Sequence, residues 1–331
     1  MSMRHSAASQ NVPVDLKDFV SDVEYYLTLE PRQLPSRYLY DALGSALFDA
    51  ICELPWYRIT RAEIGLLDAH ADAILAHAAP RSGLLRIVEL GPGNGTKLQT
   101  LIEAGRRGPR RLHRALQLHL IDVSAKALDQ ASQALAVLDD VEVVKHQTTY
   151  ESGLGEIARS GVRTLMLFLG SNIGNFDRPD AESFLRSIRA ALEPGDDLLL
   201  GGDLVKPEAD LLLAYDDPLG VTAAFNRNLL VRINRELGGD FDLRAFGHKA
   251  VWNRDESRVE MHLISRRRQR VRVASAEIAI EMDKGDTIWT ESSYKYELEE
   301  LATLLERTGF RPLERWISAE ARFALILARA D

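Results

Sequence analysis

The run Val88-Glu89-Leu90-Gly91-Pro92-Gly93-Asn94-Gly95-Thr96-Lys97 narrows what this chain can fold into more than any other stretch. The apolar residues from Leu84 to Leu90 predict a strand, with a carboxylate near its end. A glycine-rich turn follows, and then a helix over Lys97–Glu103. In an open α/β sheet, a strand, a turn thin enough for backbone to lie against a ligand, and a helix mark where a nucleoside-bearing cofactor docks. Spacing narrows the choice of cofactor. A dinucleotide fold uses G-x-G-x-x-G, whose third glycine lets the helix pack on the strand, and that glycine is missing here. A triphosphate loop, G-x-x-x-x-G-K-[ST], is absent too. An acidic residue ahead of a G-x-G turn suits a cofactor with a cationic aminoacyl end and no phosphate, namely S-adenosylmethionine.

Composition excludes several classes of function. With 331 residues, 46% of them hydrophobic and 27% charged, the chain has ample core for one large domain or two packed ones. A net charge of −8 argues against a nucleic-acid partner. The one cysteine, Cys52, rules out an internal disulfide and reads as a helix-packing residue. No apolar run reaches the length of a membrane span, and the polar start, Met1 to Pro13, reads as a frayed terminus of a cytoplasmic protein. The eight histidines show no metal-binding spacing, so no metal is expected. The expected state is a monomer acting on a small molecule.

Periodicity organises the rest. Residues 14–30 and 36–53 read as helices, separated by Pro31 and Pro35. Thr60-Arg61-Ala62-Glu63 reads as a capping box opening a helix to about Ala78. Strands are then expected over Leu84–Leu90, Leu116–Asp122, Val141–Gln147, Leu165–Leu169 and Asp197–Asp203, alternating with helices Lys97–Glu103, Ser124–Leu138 and Pro179–Leu192. Such alternation predicts a doubly wound, mostly parallel α/β sheet. After Lys206-Pro207 the pattern changes. Helices over Ala209–Tyr215 and Gly220–Leu237 precede β-like runs over Lys249–Asn253, Arg258–Ser265 and Gln269–Ile280, a local antiparallel meander. Helix Glu297–Thr308 and strand Phe323–Ala328 close the chain. The expected organisation is an N-terminal helical part (1–60), a cofactor domain (61–205), an insert (206–290) and a return to the cofactor domain (291–331).

Three groups of residues carry the chemistry. Glu89 and Asp122 end successive parallel strands, so both carboxylates are expected at the cofactor edge, the second beside ribose hydroxyls. The loop Gly170-Ser171-Asn172-Ile173-Gly174-Asn175 follows the fourth strand, and its Asn amides can hold an amino acid's charged ends. Thr290-Glu291-Ser292-Ser293-Tyr294-Lys295-Tyr296 offers hydroxyls and an acid as a polar pocket wall, or simply a solvated loop. The basic run Arg266–Arg270 lacks an aromatic platform and reads as a solvated hairpin turn.

Together these segments resemble one family, the S-adenosylmethionine-dependent histidine N-α-methyltransferases of ergothioneine biosynthesis. Besides the turn and the loop, the resemblance rests on Tyr38–Phe48, Leu54-Pro55-Trp56-Tyr57, Thr60–Glu63, Asp203–Lys206, Tyr215-Asp216-Asp217, Gly220–Asn226 and Thr290–Tyr296. It implies a Rossmann-like class I methyltransferase domain with an α+β substrate domain formed by the N-terminus and the insert. The implied reaction is trimethylation of the α-amino group of L-histidine to hercynine. By motif match, Tyr57, Glu291 and Ser293 would address the imidazole, and Asn175 and Tyr215 the carboxylate. Gly170 and Tyr40 would lie near the amine, with Tyr40 and Asn175 as the catalytic pair. Gly91, Gly93, Lys97 and Asp122 would hold S-adenosylmethionine, with Glu89 supporting the turn. The resemblance assigns no adenine contact around Thr149-Tyr150.

Overall fold

The computed structural model describes residues 16–78, 83–108, 115–157 and 161–331. Helix α1 (Leu16–Leu27) leads through the short strand β1 (Arg32–Gln33) to helix α2 (Ala42–Glu53). Helix α3 (Ile59–Ala78) opens a regular alternation of β2 (Leu85–Leu90), α4 (Thr96–Arg107), β3 (Leu116–Asp122), α5 (Ala125–Leu135) and β4 (Val141–Gln147). It continues with α6 (Tyr150–Glu156), β5 (Thr164–Phe168), α7 (Arg178–Ala191) and β6 (Asp197–Asp203). Helices α8 (Glu208–Tyr215) and α9 (Val221–Leu237) follow. Next come strands β7 (Phe246–Asn253), β8 (Arg258–Ser265), β9 (Gln269–Val273), β10 (Ile278–Met282) and β11 (Thr287–Tyr294). Helix α10 (Leu298–Arg307) and strands β12 (Phe310–Ser318) and β13 (Phe323–Ala330) end the chain.

Two compact units result. One takes the residues up to Arg58 together with Lys206–Tyr294, and the other takes Ile59–Val205 with Lys295–Asp331. Strand β11 falls wholly in the first unit because it pairs along its length with β8, so Glu291 and Ser293 lie there, beyond the boundary at 290 read from sequence.

The second unit is a seven-stranded sheet in the order β12-β13-β6-β5-β2-β3-β4. Strands β4, β3, β2, β5 and β6 are mutually parallel, while β13 runs antiparallel between β6 and β12. The strand order reverses at β2, so β2 and β5 flank the topological switch point of a Rossmann-like, doubly wound fold. Every residue of β2, β5 and β6 is buried, as strands covered on both faces require, whereas the edge strand β4 alternates between half-buried and exposed residues.

The first unit holds a four-stranded sheet in the order β1-β11-β8-β7 and a separate β9-β10 hairpin. Helix α9 lays Phe225, Leu229 and Ile233, spaced four apart, into the core, and packs against α2, β7 and β8. Among the described residues no helix is long and apolar enough to cross a membrane.

The structure corrects several local expectations. The segment 36–53 is not one helix: a 3-10 turn over Ser36–Leu39 ends at Tyr40, and Asp41 caps α2 by accepting from Gly44 N–H at 2.8 Å. A β-carbon at Gly44 would overlap the Leu39 carbonyl oxygen, so this tight junction needs glycine. Helix α3 starts at Ile59, which puts Thr60 inside the first turn and leaves Glu63 to other partners. Helix α4 runs four residues past Glu103, to Arg107. The run 269–280 breaks at Ala274–Ala276, where a 3-10 turn and Glu277 at φ +51° fold it into the hairpin. Residues 266–268 join β8 to β9, strands of different sheets, and do not turn a hairpin. Thr290–Tyr294 is buried strand, not solvated loop. Strand β12 and helix α6 carry weak sequence signals and were not expected. The expectation for Met1 to Pro13, and residues 14 and 15 of the first helix, lie outside the described residues.

Candidate active site

In the second unit the polar site is built at the ends of β2, β3 and β5. Strand β2 delivers Glu89 and then Gly91 at φ +74°, whose N–H donates to the Ile121 carbonyl at 2.9 Å and ties the turn to β3. A β-carbon at Gly91 would overlap the Tyr150 hydroxyl and stand 3.3 Å from the Asn172 amide nitrogen, so the turn lies directly against both residues. Gly93 is exposed at the crest of the turn, at φ +56°. The helix-packing role falls to Gly95, where a β-carbon would come within 2.8 Å of Ala131 Cα on α5.

Charge is concentrated below this turn. Glu89 is fully buried, its Oε2 has no hydrogen-bond partner among the described residues, and burial pushes its carboxyl up to about 8. Lys97, in the first turn of α4, opposes that shift. Asp122, at the end of β3, is pushed up to about 6 by burial, against the pull of the Ser124 and Val123 N–H groups; Ser124 N–H donates to its Oδ1 at 2.8 Å. Glu63 is also fully buried. Its two oxygens accept from Gly170 N–H at 2.8 and 2.9 Å, and its Oε2 is 2.6 Å from Lys97 Nζ. Sequence pattern assigned Glu63 to a helix cap and missed this role.

The loop after β5 turns at Gly170, φ +76°, and at Ser171, φ +57°, before a 3-10 turn over Asn172–Asn175. Ser171 Oγ accepts from Asp203 N–H at 2.9 Å, and Asp203 pairs with the buried Lys295 at 2.9 Å. The loop is therefore tied to the end of β6. Asn175 is half-buried at the end of that turn.

The first unit assembles a second polar site around β11. Between Trp289 and Glu291 the pairing with β8 slips by one residue, a β-bulge at Thr290, whose hydroxyl donates to the Met261 carbonyl at 2.9 Å. Trp289 pairs with His262, whereas Glu291 and Ser293 pair with Met261 and Val259. Side chains alternate faces along a strand, so the extra residue turns Glu291 and Ser293 away from the face that carries Trp289. Tyr215, the last residue of α8, donates its hydroxyl to Ser293 Oγ at 2.8 Å. Rings continue outward from there: Tyr57 lies 6.4 Å from Tyr215, Phe48 lies 6.3 Å from Tyr57, and Tyr40 contacts Phe48 and Phe225 at 5.6 and 5.5 Å.

Support for Tyr215 comes from His248, which no motif announced, and from Asn226 behind it. His248 Nε2 lies 2.8 Å from the Tyr215 carbonyl, and its Nδ1 lies 3.0 Å from Asn226 Nδ2. Nε2 then donates to the carbonyl while Nδ1 accepts from the amide, the arrangement of a neutral imidazole. Burial lowers the pKa of His248, in the same direction.

The structure thus brings Tyr57, Tyr215 and Ser293 together, with Glu291 on the same face of β11 and Tyr40 reached through Phe48. It gathers Glu89, Gly91, Lys97, Asp122 and Gly170 in the other unit. The unpartnered Glu89 oxygen, next to a turn with no room for a side chain at Gly91, fits a ligand with a cationic end, as S-adenosylmethionine has. Carboxylate, hydroxyl and phenol in the first unit fit a ligand with ring or amine N–H groups.

Comparison with known proteins agrees with this chemistry. Residues 19–330 match a family model described as histidine-specific methyltransferase, SAM-dependent. The chain is 42% identical over 308 residues to the histidine N-alpha-methyltransferase of Mycolicibacterium smegmatis, covering 93% of each chain. It is 41% identical over 310 residues to that of Mycobacterium tuberculosis, again over 93% of each. Ergothioneine biosynthesis protein 1 of Schizosaccharomyces pombe is 29% identical over 305 residues, which are 90% of this chain and 39% of that one.

Proposed function

The chain belongs to the family of S-adenosylmethionine-dependent, histidine-specific methyltransferases, and from that premise we propose how its residues divide the work. It is a methyltransferase with a class I fold. It transfers three methyl groups to the α-amino group of L-histidine, giving hercynine, a step of ergothioneine biosynthesis. The observation that carries the substrate reading is the Tyr215–Ser293 pair beside Glu291 on a bulged strand. A pocket built for N–H groups rejects analogues that lack them, because its buried acceptors would be left unpaired. Glu291 and Ser293, with Tyr57 alongside, take the imidazole. Tyr215 and Asn175 take the carboxylate, and Tyr40 and Gly170 stand at the amine.

S-adenosylmethionine supplies a methyl group already activated by its sulfonium charge. Gly91, Gly93, Lys97 and Asp122 hold it, and Glu89 meets its cationic end. In each transfer the nitrogen lone pair forms the new N–C bond while the S–C bond breaks and its electron pair stays on sulfur. The nitrogen must be unprotonated to attack, so one proton leaves before each of the three transfers. It leaves to solvent, through water held by Tyr40. Alignment of nitrogen, carbon and sulfur then supplies most of the acceleration.

The unit of residues up to 58 and 206–294 is the substrate domain, and the other is the cofactor domain. The net charge of −8 supports a small zwitterion over nucleic acid, and the enzyme acts as a cytoplasmic monomer. The test is incubation of the pure protein with S-adenosylmethionine and each of the twenty amino acids, read by mass. Three added methyl groups on histidine alone are expected. Transfer to another amino acid in preference would reassign the substrate, and no transfer to any would remove the reading.

A further inference from the structure

Glu63 is a fully buried carboxylate with no part in the roles above, yet three elements meet on it. It rises from the first turn of α3, chelates Gly170 N–H with both oxygens and pairs with Lys97 of α4 at 2.6 Å. Gly201 on β6 leaves it room, since a β-carbon there would overlap Oε1. Gly170 is equally constrained: a β-carbon would lie 3.0 Å from Lys97 Nζ, so the two partners of the carboxylate also touch each other's space. Charge-assisted hydrogen bonds to a carboxylate are short and strong, and the Lys97 ammonium lies 2.6 Å from this one.

We infer that Glu63 is a positioning residue that joins the cofactor turn to the acceptor loop. The inference rests on the proposed function, which gives Lys97 to S-adenosylmethionine and Gly170 to the histidine amine. One carboxylate gripping both fixes Lys97 and Gly170 relative to one another, so a ligand that orders either residue also orders the other. Binding of the cofactor then lowers the cost of binding histidine, and by linkage the reverse holds equally. A carboxylate serving stability alone would show no such coupling.

Calorimetry on the full chain tests this, with adenosylhomocysteine alone, histidine alone, and histidine at saturating adenosylhomocysteine. In the wild type, bound adenosylhomocysteine is expected to tighten histidine roughly tenfold. Glu63→Gln keeps one acceptor for Gly170 but loses the charge, and its coupling factor is expected to fall to within about twofold of unity. Glu63→Asp restores the charge with a shorter reach. It is expected to recover the melting temperature lost in Glu63→Gln and not the coupling. Full coupling in either variant, or independent binding in the wild type, would overturn the inference. If Glu63→Gln does not fold, Glu63→Asp decides by itself. A wild type that binds both ligands with coupling yet leaves histidine unmethylated would end the substrate reading and leave the Glu63 inference standing.

Discussion

On the division of labour proposed above, the two units solve the same problem, holding a charged small molecule, with opposite materials. The cofactor unit uses backbone and buried charge: a glycine turn with no room for a side chain at Gly91, set among Glu89, Glu63, Lys97 and Asp122. The substrate unit uses hydroxyls and aromatic rings, with Glu291 on the same strand face as Ser293, in a file from Ser293 through Tyr215, Tyr57 and Phe48 to Tyr40. The difference follows from what each must recognise. A cofactor common to many enzymes needs close approach and compensation of its charge, which main chain and carboxylates provide. One amino acid among twenty needs discrimination, which a few placed acceptors provide through the cost of leaving them unpaired.

If that contrast is sound, damage to the β11 wall should leave cofactor binding untouched, and damage to the glycine turn should leave histidine binding untouched. The largest expected effect is in the substrate unit. Replacing Glu291 and Ser293 together by Ala should lower kcat/KM for histidine by roughly 10³-fold, with adenosylhomocysteine affinity unchanged. Steady-state kinetics beside calorimetry reads both, and a matching loss of cofactor affinity would break the division of labour. Next comes the turn. Gly91→Val adds left-handed strain of about 1–2 kcal/mol to an overlap with Tyr150, so adenosylhomocysteine binding should weaken on the order of 100-fold or more. Histidine binding by the variant alone should stay within about twofold of wild type on this division, which puts the contrast at risk directly.

Legibility in the sequence follows the same line. The parallel strands Leu116–Asp122, Val141–Gln147 and Asp197–Asp203 are read from the strand–helix alternation with the bounds they have in the structure. A turn, its flanking strand and its helix are contiguous, so Glu89 and Gly91 announce themselves as one motif, while Lys97 entered through the family resemblance. The substrate unit draws on positions from 40 to 293, and only family resemblance linked them. Thr290–Tyr294 has the composition of a loop, and its burial as strand depends on partners such as Met261 and Tyr215 that no local pattern encodes. Glu63 shows the opposite failure: a good local pattern, the capping box, was overridden by a partner 107 residues away. Strand β12 was missed because its exposed Glu314 and Arg315 break the alternation, as an edge strand tolerates.

A third prediction uses the buried charge itself. Glu89 has its pKa raised from 4.5 to about 8 by burial, so it favours the folded state below its unfolded pKa, and that contribution is lost as pH rises through about 8. Glu89→Gln should therefore melt higher than wild type at pH 9 and close to it at pH 5. Cofactor affinity should respond in the other direction. The ionised carboxylate meets the cationic end of adenosylhomocysteine, so wild-type affinity should rise about tenfold between pH 6 and pH 8, and the variant's should stay flat. A flat wild-type profile would mean that Glu89 braces the turn without meeting the ligand.

The smallest effect expected is the sharpest test of the substrate unit. Tyr215→Phe removes one hydroxyl, the donor to Ser293 Oγ at 2.8 Å, and leaves the ring against Tyr57. A single net hydrogen bond is worth about 1 kcal/mol, so kcat/KM for histidine should fall about fivefold through KM, with kcat nearly unchanged. His248 holds the Tyr215 carbonyl, not the hydroxyl, so the backbone should stay in place and the melting temperature with it. A fall in kcat instead would mean that the phenol acts on the reacting nitrogen and belongs with Tyr40. The substrate unit would then carry catalysis as well as recognition, and the contrast with the cofactor unit would narrow to one of materials alone.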